Sequence, residues 1–175
     1  MSTSGPLSVV VLISGSGSNL QALIDAVQNR TLPIHIRAVI ANEADVFGLE
    51  RARRAAIAAR VLSPRGYPDR PAFDAALMDL IDGFQPRPVV LAGFMRILTP
   101  GFVAHYRGRM LNIHPSLLPK FRGLHTHERA LEVGEREHGA TVHFVTEDLD
   151  GGPAVLQAVV QVEPSDDAAR LAARL

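Results

Sequence analysis

The stretch Val9-Val-Val-Leu-Ile-Ser-Gly-Ser-Gly-Ser-Asn-Leu20 decides the fold. Val9 to Ser14 is a continuous, mostly β-branched run, the pattern of a strand covered on both faces. Gly15-Ser-Gly-Ser-Asn19 turns the chain, and Leu20, Leu23, Ile24 and Val27 then fall at helical spacing. Ile34 to Ile40 reads as a second strand and closes a βαβ unit. A strand, a glycine-rich turn, a helix and a second strand open an α/β domain with a parallel sheet.

The alternation continues outward from there. Leu49 to Ala58 reads as a helix rich in alanine and arginine, and Arg60 to Leu62 as a short third strand. Ser63 to Pro71 is a loop by its proline and glycine content. Phe73 to Phe84 is an amphipathic helix with Phe73, Leu77, Leu80, Ile81 and Phe84 on its apolar stripe. Pro88 to Leu91 is a further buried strand, and a short helix covers Phe102 to Tyr106. A helix begins near Thr126 and runs to Val133; Thr141 to Val145 alternates as a half-buried strand, and Val155 to Val162 makes a last one. Ser165-Asp-Asp167 supplies a cap and two acids for a closing helix. The expected fold is α/β and Rossmann-like, a mostly parallel central sheet with helices on both faces, in a single domain over 1–175 with 1–6 disordered. Ala168, Leu171, Ala172 and Leu175 share one helical face, and no glycine, asparagine or proline stops that helix. The natural polypeptide is therefore expected to continue past Leu175.

Composition narrows the function classes. The 175 residues are 47% hydrophobic and 21% charged, ordinary for a globular domain. Basic and acidic residues both number 18, so there is no electrostatic footprint for nucleic acid or an anionic membrane. The absence of cysteine excludes disulfide and thiolate chemistry and fits a reducing compartment. Met1 to Pro6 is too short and polar for a signal peptide, and no apolar run approaches the roughly 18 residues of a membrane helix. The expectation is a cytoplasmic protein.

Three stretches can carry chemistry. Ser14 to Asn19 can offer backbone N–H groups, hydroxyls and a helix N-terminus to an anion. Gly15 and Gly17 match only part of a dinucleotide fingerprint, since Leu20 stands where the third glycine belongs. A single phosphate fits better than a pyrophosphate, and a tight turn with no ligand fits too. In Met110-Leu-Asn-Ile-His-Pro115, Asn112 and His114 fall on one face of a strand that proline ends. Such a pair at a strand's carboxyl end can polarise a carbonyl and donate a proton to the developing oxyanion. It also fits a structural histidine capping a strand. Asp150, in the acidic loop Glu147-Asp-Leu-Asp-Gly-Gly-Pro153, is positioned to orient His114 and favour its charged form, provided the two meet. His125, His127 and His138 could ligate a metal, but no motif such as HExxH is present and no metal is expected.

With these stretches in view, the chain resembles the glycinamide ribonucleotide formyltransferase family, folate-dependent enzymes of purine synthesis. The resemblance runs from about Val9 to Leu175. It rests on Ile13 to Leu20, Leu91 to Leu98, Asn112 to Pro119, Gly123-Leu-His-Thr-His127 and Asp150-Gly-Gly-Pro153. It implies a Rossmann-like formyltransferase fold. The activity implied moves a formyl group from 10-formyltetrahydrofolate to the amino group of 5'-phosphoribosylglycinamide, in de novo purine (IMP) synthesis. By match to the family's motifs, Asn112, His114 and Asp150 form the catalytic set, and Gly17, Ser18 and Asn19 hold the substrate phosphate. Arg70, Met95, Arg96, Ile97, Leu98, Asn112, Thr146, Glu147, Asp148, Leu149 and Asp150 match the folate site. The folate is a co-substrate, no metal is implied, a homodimer is allowed, and the partners are small molecules. The family continues through a glutamine-glutamate-histidine segment that this chain stops short of. Two sister activities on the same scaffold, formyltetrahydrofolate deformylase and methionyl-tRNA formyltransferase, are the nearest rivals. A non-catalytic nucleotide-binding module, with Glu43 or Asp45 contacting a ribose, is the rival of another class.

Overall fold

The computed structural model describes residues 5–175; of the expected disordered segment 1–6, residues 1–4 lie outside that range. The chain forms two compact units, one ending at Met110 and one spanning Leu111–Leu175.

The first unit is the βαβ region. Strand β1 (Leu7–Ile13) pairs in parallel with β2 (Ile34–Ala41) on one side and β4 (Val89–Leu91) on the other, and β2 pairs in parallel with β3 (Ala58–Val61). The strand order in this unit is therefore β3-β2-β1-β4. Val9 to Ile13 are buried, as a continuous apolar run in a covered parallel strand requires. The order reverses at β1, so the carboxyl ends of β1 and β4 flank a topological switch point, where ligands bind in open α/β sheets. Helices α1 (Ser18–Gln28), α2 (Phe47–Arg54), α3 (Arg70–Asp82) and α4 (Pro100–His105) complete the unit. Leu20 and Ile24 of α1, Leu49 of α2, Phe73, Leu77 and Ile81 of α3, and Phe102 of α4 join the strands in its core.

Several boundaries shift by one to four residues from the sequence expectation, β3 among them (Ala58–Val61 rather than Arg60 to Leu62), and two of the shifts have a plain local cause. Helix α2 ends at Arg54 rather than Ala58, because Ala56 turns left-handed (φ 57°) and the Ile57 N–H closes back on the Ala52 carbonyl at 2.9 Å. Alanine is the best helix former, so no residue in this stretch signalled the stop. Helix α3 begins at Arg70 rather than Phe73: Asp69 accepts from the Ala72 N–H at 2.8 Å, and Pro71 suits the first turn. Arg70 thus stands on a helix and not in the loop assigned to it.

The second unit is antiparallel. Strand β5 (Met110–His114) pairs with β6 (Glu137–Phe144), and β6 pairs with β7 (Ala154–Gln161). β5 stops at the residue before Pro115, as expected. β6 begins four residues before the alternating stretch read from the sequence. Gly139 hides that start: a Cβ there would lie 2.0 Å from the Ala158 carbonyl oxygen of β7. Helices α5 (Thr126–Glu132) and α6 (Ala168–Ala173) pack together, with Ala130 and Leu171 buried. Asp167 caps α6 through the Arg170 N–H, so Asp166 and Asp167 precede the helix instead of occupying its first turn. Asp166 is instead clasped by Arg174, whose guanidinium holds its carboxyl down to about 2.

Candidate active site

In the first unit the site begins with a loop that only glycine can form. Gly17 caps α1 in the left-handed region (φ 72°), and a Cβ on it would come within 2.7 Å of the Gly48 Cα. No side chain caps α1, and no acidic residue sits in its first turn. Its first N–H groups, at Ser18 and Asn19, are the kind of donor set that receives an anion. Arg51 braces the loop from α2, donating to the Ser16 carbonyl at 2.8 Å and to Gln21 at 3.1 Å.

Ser14, at the end of β1, couples this loop to the segment after β4. Its N–H donates to Gly93 O at 2.9 Å, its hydroxyl donates to Asn42 Oδ1 at 2.5 Å, and the same hydroxyl accepts the Met95 N–H at 2.8 Å. Met95 and Ile97 are largely exposed, while the Arg96 guanidinium lies 4.5 Å over the Phe73 ring. Buried Asp74 fixes the far end of this segment by accepting the Thr99 N–H at 2.8 Å. Arg70 is exposed on the first turn of α3.

The second unit brings Asn112, His114 and Asp150 together. Alternation along β5 puts Asn112 and His114 on one face, opposite His143 and Thr141 of β6. Asp150 Oδ2 lies 3.5 Å from His114 Nδ1 and accepts the Gly123 N–H at 2.9 Å. Its Oδ1 lies 3.7 Å from His143 Nε2. His114 Nε2 donates to the Phe121 carbonyl at 2.9 Å. Both nitrogens of this buried ring thus face oxygen atoms, the Phe121 carbonyl on one side and the Asp150 carboxylate on the other. The Asp150 backbone is left-handed (φ 50°), and the two glycines after it allow the chain to fold back. A Cβ at Gly151 would lie 1.9 Å from Asp148 Oδ2, and one at Gly152 1.8 Å from the Phe144 carbonyl oxygen. Thr146, Glu147, Asp148 and Leu149 line the exposed outside of this turn, where Asp148 meets Arg122 at 3.0 Å.

The sequence did not point to His143, although Asn112 Nδ2 lies 3.1 Å from its Nε2. The available signal was its place two residues from Thr141 on an alternating strand. The carbonyl of Phe121 and the N–H of Gly123 are backbone groups without any side-chain signature.

His127 and His138, considered above as metal ligands, instead bond to each other, Nδ1 to Nε2, at 3.1 Å. Among the described residues no group of three or more metal-ligating side chains gathers. Burial lowers the proton affinity of His127, with Glu128 opposing it; burial and then His127 lower that of His138. Below about pH 6.5 the unfolded chain therefore binds more protons here than the folded one, and stability falls as pH falls. Urea titrations at pH 7.5 and 5.5 will show lower stability at the acid pH, and the double replacement His127→Gln, His138→Gln will flatten that difference. An unchanged slope in the double variant would remove this pair as its cause.

In the second unit a buried imidazole and a carboxylate lie beside an amide donor, a set suited to the class of enzymes that transfer an acyl-type group through an oxyanion. Comparison with known proteins gives the family. The Formyl transferase sequence model matches residues 7–175. The phosphoribosylglycinamide formyltransferase of Escherichia coli (strain K12) is 57% identical over 169 residues, covering 97% of this chain and 80% of that one. The solved phosphoribosylglycinamide formyltransferase of Coxiella burnetii, in complex with CHES, superposes with a TM-score of 0.91 at 54% identity, over 97% of this chain and 79% of that one. Glycinamide ribonucleotide transformylase 1 from Symbiobacterium toebii gives 0.93 at 46%, over 97% and 80%. The chain belongs to the formyl transferase family, and its α/β fold is the one these structures share.

Proposed function

We propose that the protein transfers the formyl group of 10-formyltetrahydrofolate to the amino group of 5'-phosphoribosylglycinamide. The products are N-formyl-phosphoribosylglycinamide and tetrahydrofolate, within de novo purine (IMP) synthesis. The observation that carries this reading is the buried cluster of Asn112, His114 and Asp150, in a chain 57% identical to a phosphoribosylglycinamide formyltransferase.

The substrate amine attacks the formyl carbon, a carbon–nitrogen bond forms, and the carbonyl electrons move onto oxygen. An Asn112 N–H and a proton on His114 stabilise that oxyanion, which replaces the Phe121 carbonyl as the acceptor on His114. Asp150 holds the ring in place and compensates its charge. Collapse of the tetrahedral species breaks the bond to the folate nitrogen, which leaves protonated. Gly17, Ser18 and Asn19 bind the substrate phosphate at the start of α1. Arg70, Met95, Arg96, Ile97, Leu98, Asn112 and the Thr146–Asp150 turn bind the folate, whose apolar faces suit exposed Met95, Ile97 and Leu149. In this reading residues 1–175 serve as one formyltransferase domain acting on small molecules, in the cytoplasm, without metal or nucleic acid, and a homodimer is allowed. Among the described residues no helix is long and apolar enough to cross a membrane.

The acceptor is what separates this reading from its rivals. Offered water, methionyl-tRNA or phosphoribosylglycinamide in turn, the protein will release deformylated folate only with the last. Release with water alone identifies a deformylase, release with methionyl-tRNA the tRNA enzyme, and release with none a binding module.

A further inference from the structure

We propose that His143 is a positioning residue for the transfer, fixing which end of the Asn112 amide meets the formyl oxygen. The inference rests on the formyl-transfer reading above and goes beyond it. His143 is 2% exposed and lies directly opposite Asn112 across the β5–β6 pair. Its Nδ1 is 3.0 Å from the Phe144 carbonyl oxygen, which can only accept, so Nδ1 carries a proton. In the neutral ring Nε2 is then a bare lone pair, and the group 3.1 Å away is the Asn112 amide.

That lone pair selects the orientation of the amide. With the NH2 end toward His143, one N–H is bonded there and the other stays free for a substrate oxygen. With the amide turned over, its carbonyl oxygen would face that lone pair at the same short separation, two acceptors in direct contact. The turned amide would also present oxygen where the formyl oxyanion develops, and so would repel the charge that Asn112 is there to hold. Asp150 also faces His143, its Oδ1 standing 3.7 Å from Nε2. At that distance the carboxylate is beyond hydrogen-bond reach of Nε2, and the Asn112 amide at 3.1 Å is the group that this nitrogen bonds.

Three variants test this, with an independent spectroscopic reading. His143→Phe keeps a planar ring without the acceptor, and will lower kcat by about a hundredfold, the loss typical of one oxyanion donor. KM for the phosphorylated amine will change by less than about threefold, since the variant alters none of the residues proposed to hold its phosphate. His143→Gln, whose amide oxygen reaches the Nε2 position, will recover at least about tenfold of that loss. In an Asn112→Ala background, His143→Phe will change kcat by less than about threefold, because residues acting through one another do not add. Nitrogen NMR of the unaltered protein will show His143 protonated on Nδ1 and bare on Nε2.

Equal losses from His143→Phe in both backgrounds, or no recovery with glutamine, would make the residue merely structural. An Nε2-protonated neutral ring would overturn the proposal even if the phenylalanine variant failed to fold. If the NMR assignment holds but the unaltered protein gives no amine-dependent turnover, the formyl-transfer reading has failed, and the role drawn from it falls with it.

Discussion

His114→Ala lowers kcat for formyl transfer by about a thousandfold, within the range that a positioned general acid contributes. Asp150→Ala does nearly as much. The two losses do not add in the double variant, because Asp150 acts through the ring it holds. Binding of phosphoribosylglycinamide stays within about threefold in each variant, because the phosphate site proposed at the Gly17 loop is left unaltered by both. Removing either partner also leaves the other buried: His114 is 5% exposed, and the Asp150 side chain is 9% exposed. A drop in melting temperature accompanies both alanine variants, so activity is to be compared well below the transition. His114→Ala with near-normal turnover would remove the imidazole from the mechanism.

Gly17→Ala has the second large effect, and on binding rather than chemistry. At φ 72° a side chain costs about 1–2 kcal/mol, and the added carbon would stand 2.7 Å from the Gly48 Cα, backbone that cannot swing aside. Gly48 cannot retreat readily, because a Cβ built at its own position already falls 2.4 Å from Ile13 Cδ1 in the core. The loop must therefore shift, and the N–H groups of Ser18 and Asn19 shift with it. Hydrogen bonds to a charged group contribute about 1.5–3 kcal/mol each, so misplacing them raises KM for the phosphorylated amine by about ten- to a hundredfold. The kcat at saturation changes little. The measurement is a full substrate titration of the variant; a KM within about twofold of the unaltered protein would exclude this loop from phosphate recognition.

Much of this was legible in the residues, and the reasons differ by element. Val9 to Ile13 announced a covered parallel strand because burial on both faces leaves no polar alternation. Asn112 and His114 announced a shared face because β alternation is a local rule. Asp150 was singled out by its acidic, glycine-rich loop, yet the 3.5 Å approach to His114 depends on a left-handed turn that no local pattern encodes. His143 escaped notice for a related reason: its importance lies in the register that sets it opposite Asn112, and register is a tertiary property. The stop of α2 at a left-handed alanine ran against intrinsic propensity, and the start of α3 was masked because the Asp69 cap lies inside a proline-rich loop.

The most direct measurement of the central claim is a single turnover with a labelled formyl carbon on 10-formyltetrahydrofolate, with and without phosphoribosylglycinamide. The account predicts that the label leaves the folate only when the amine is present, and that it appears in N-formyl-phosphoribosylglycinamide. Label released as free formate at the same rate whether or not the amine is present would contradict it.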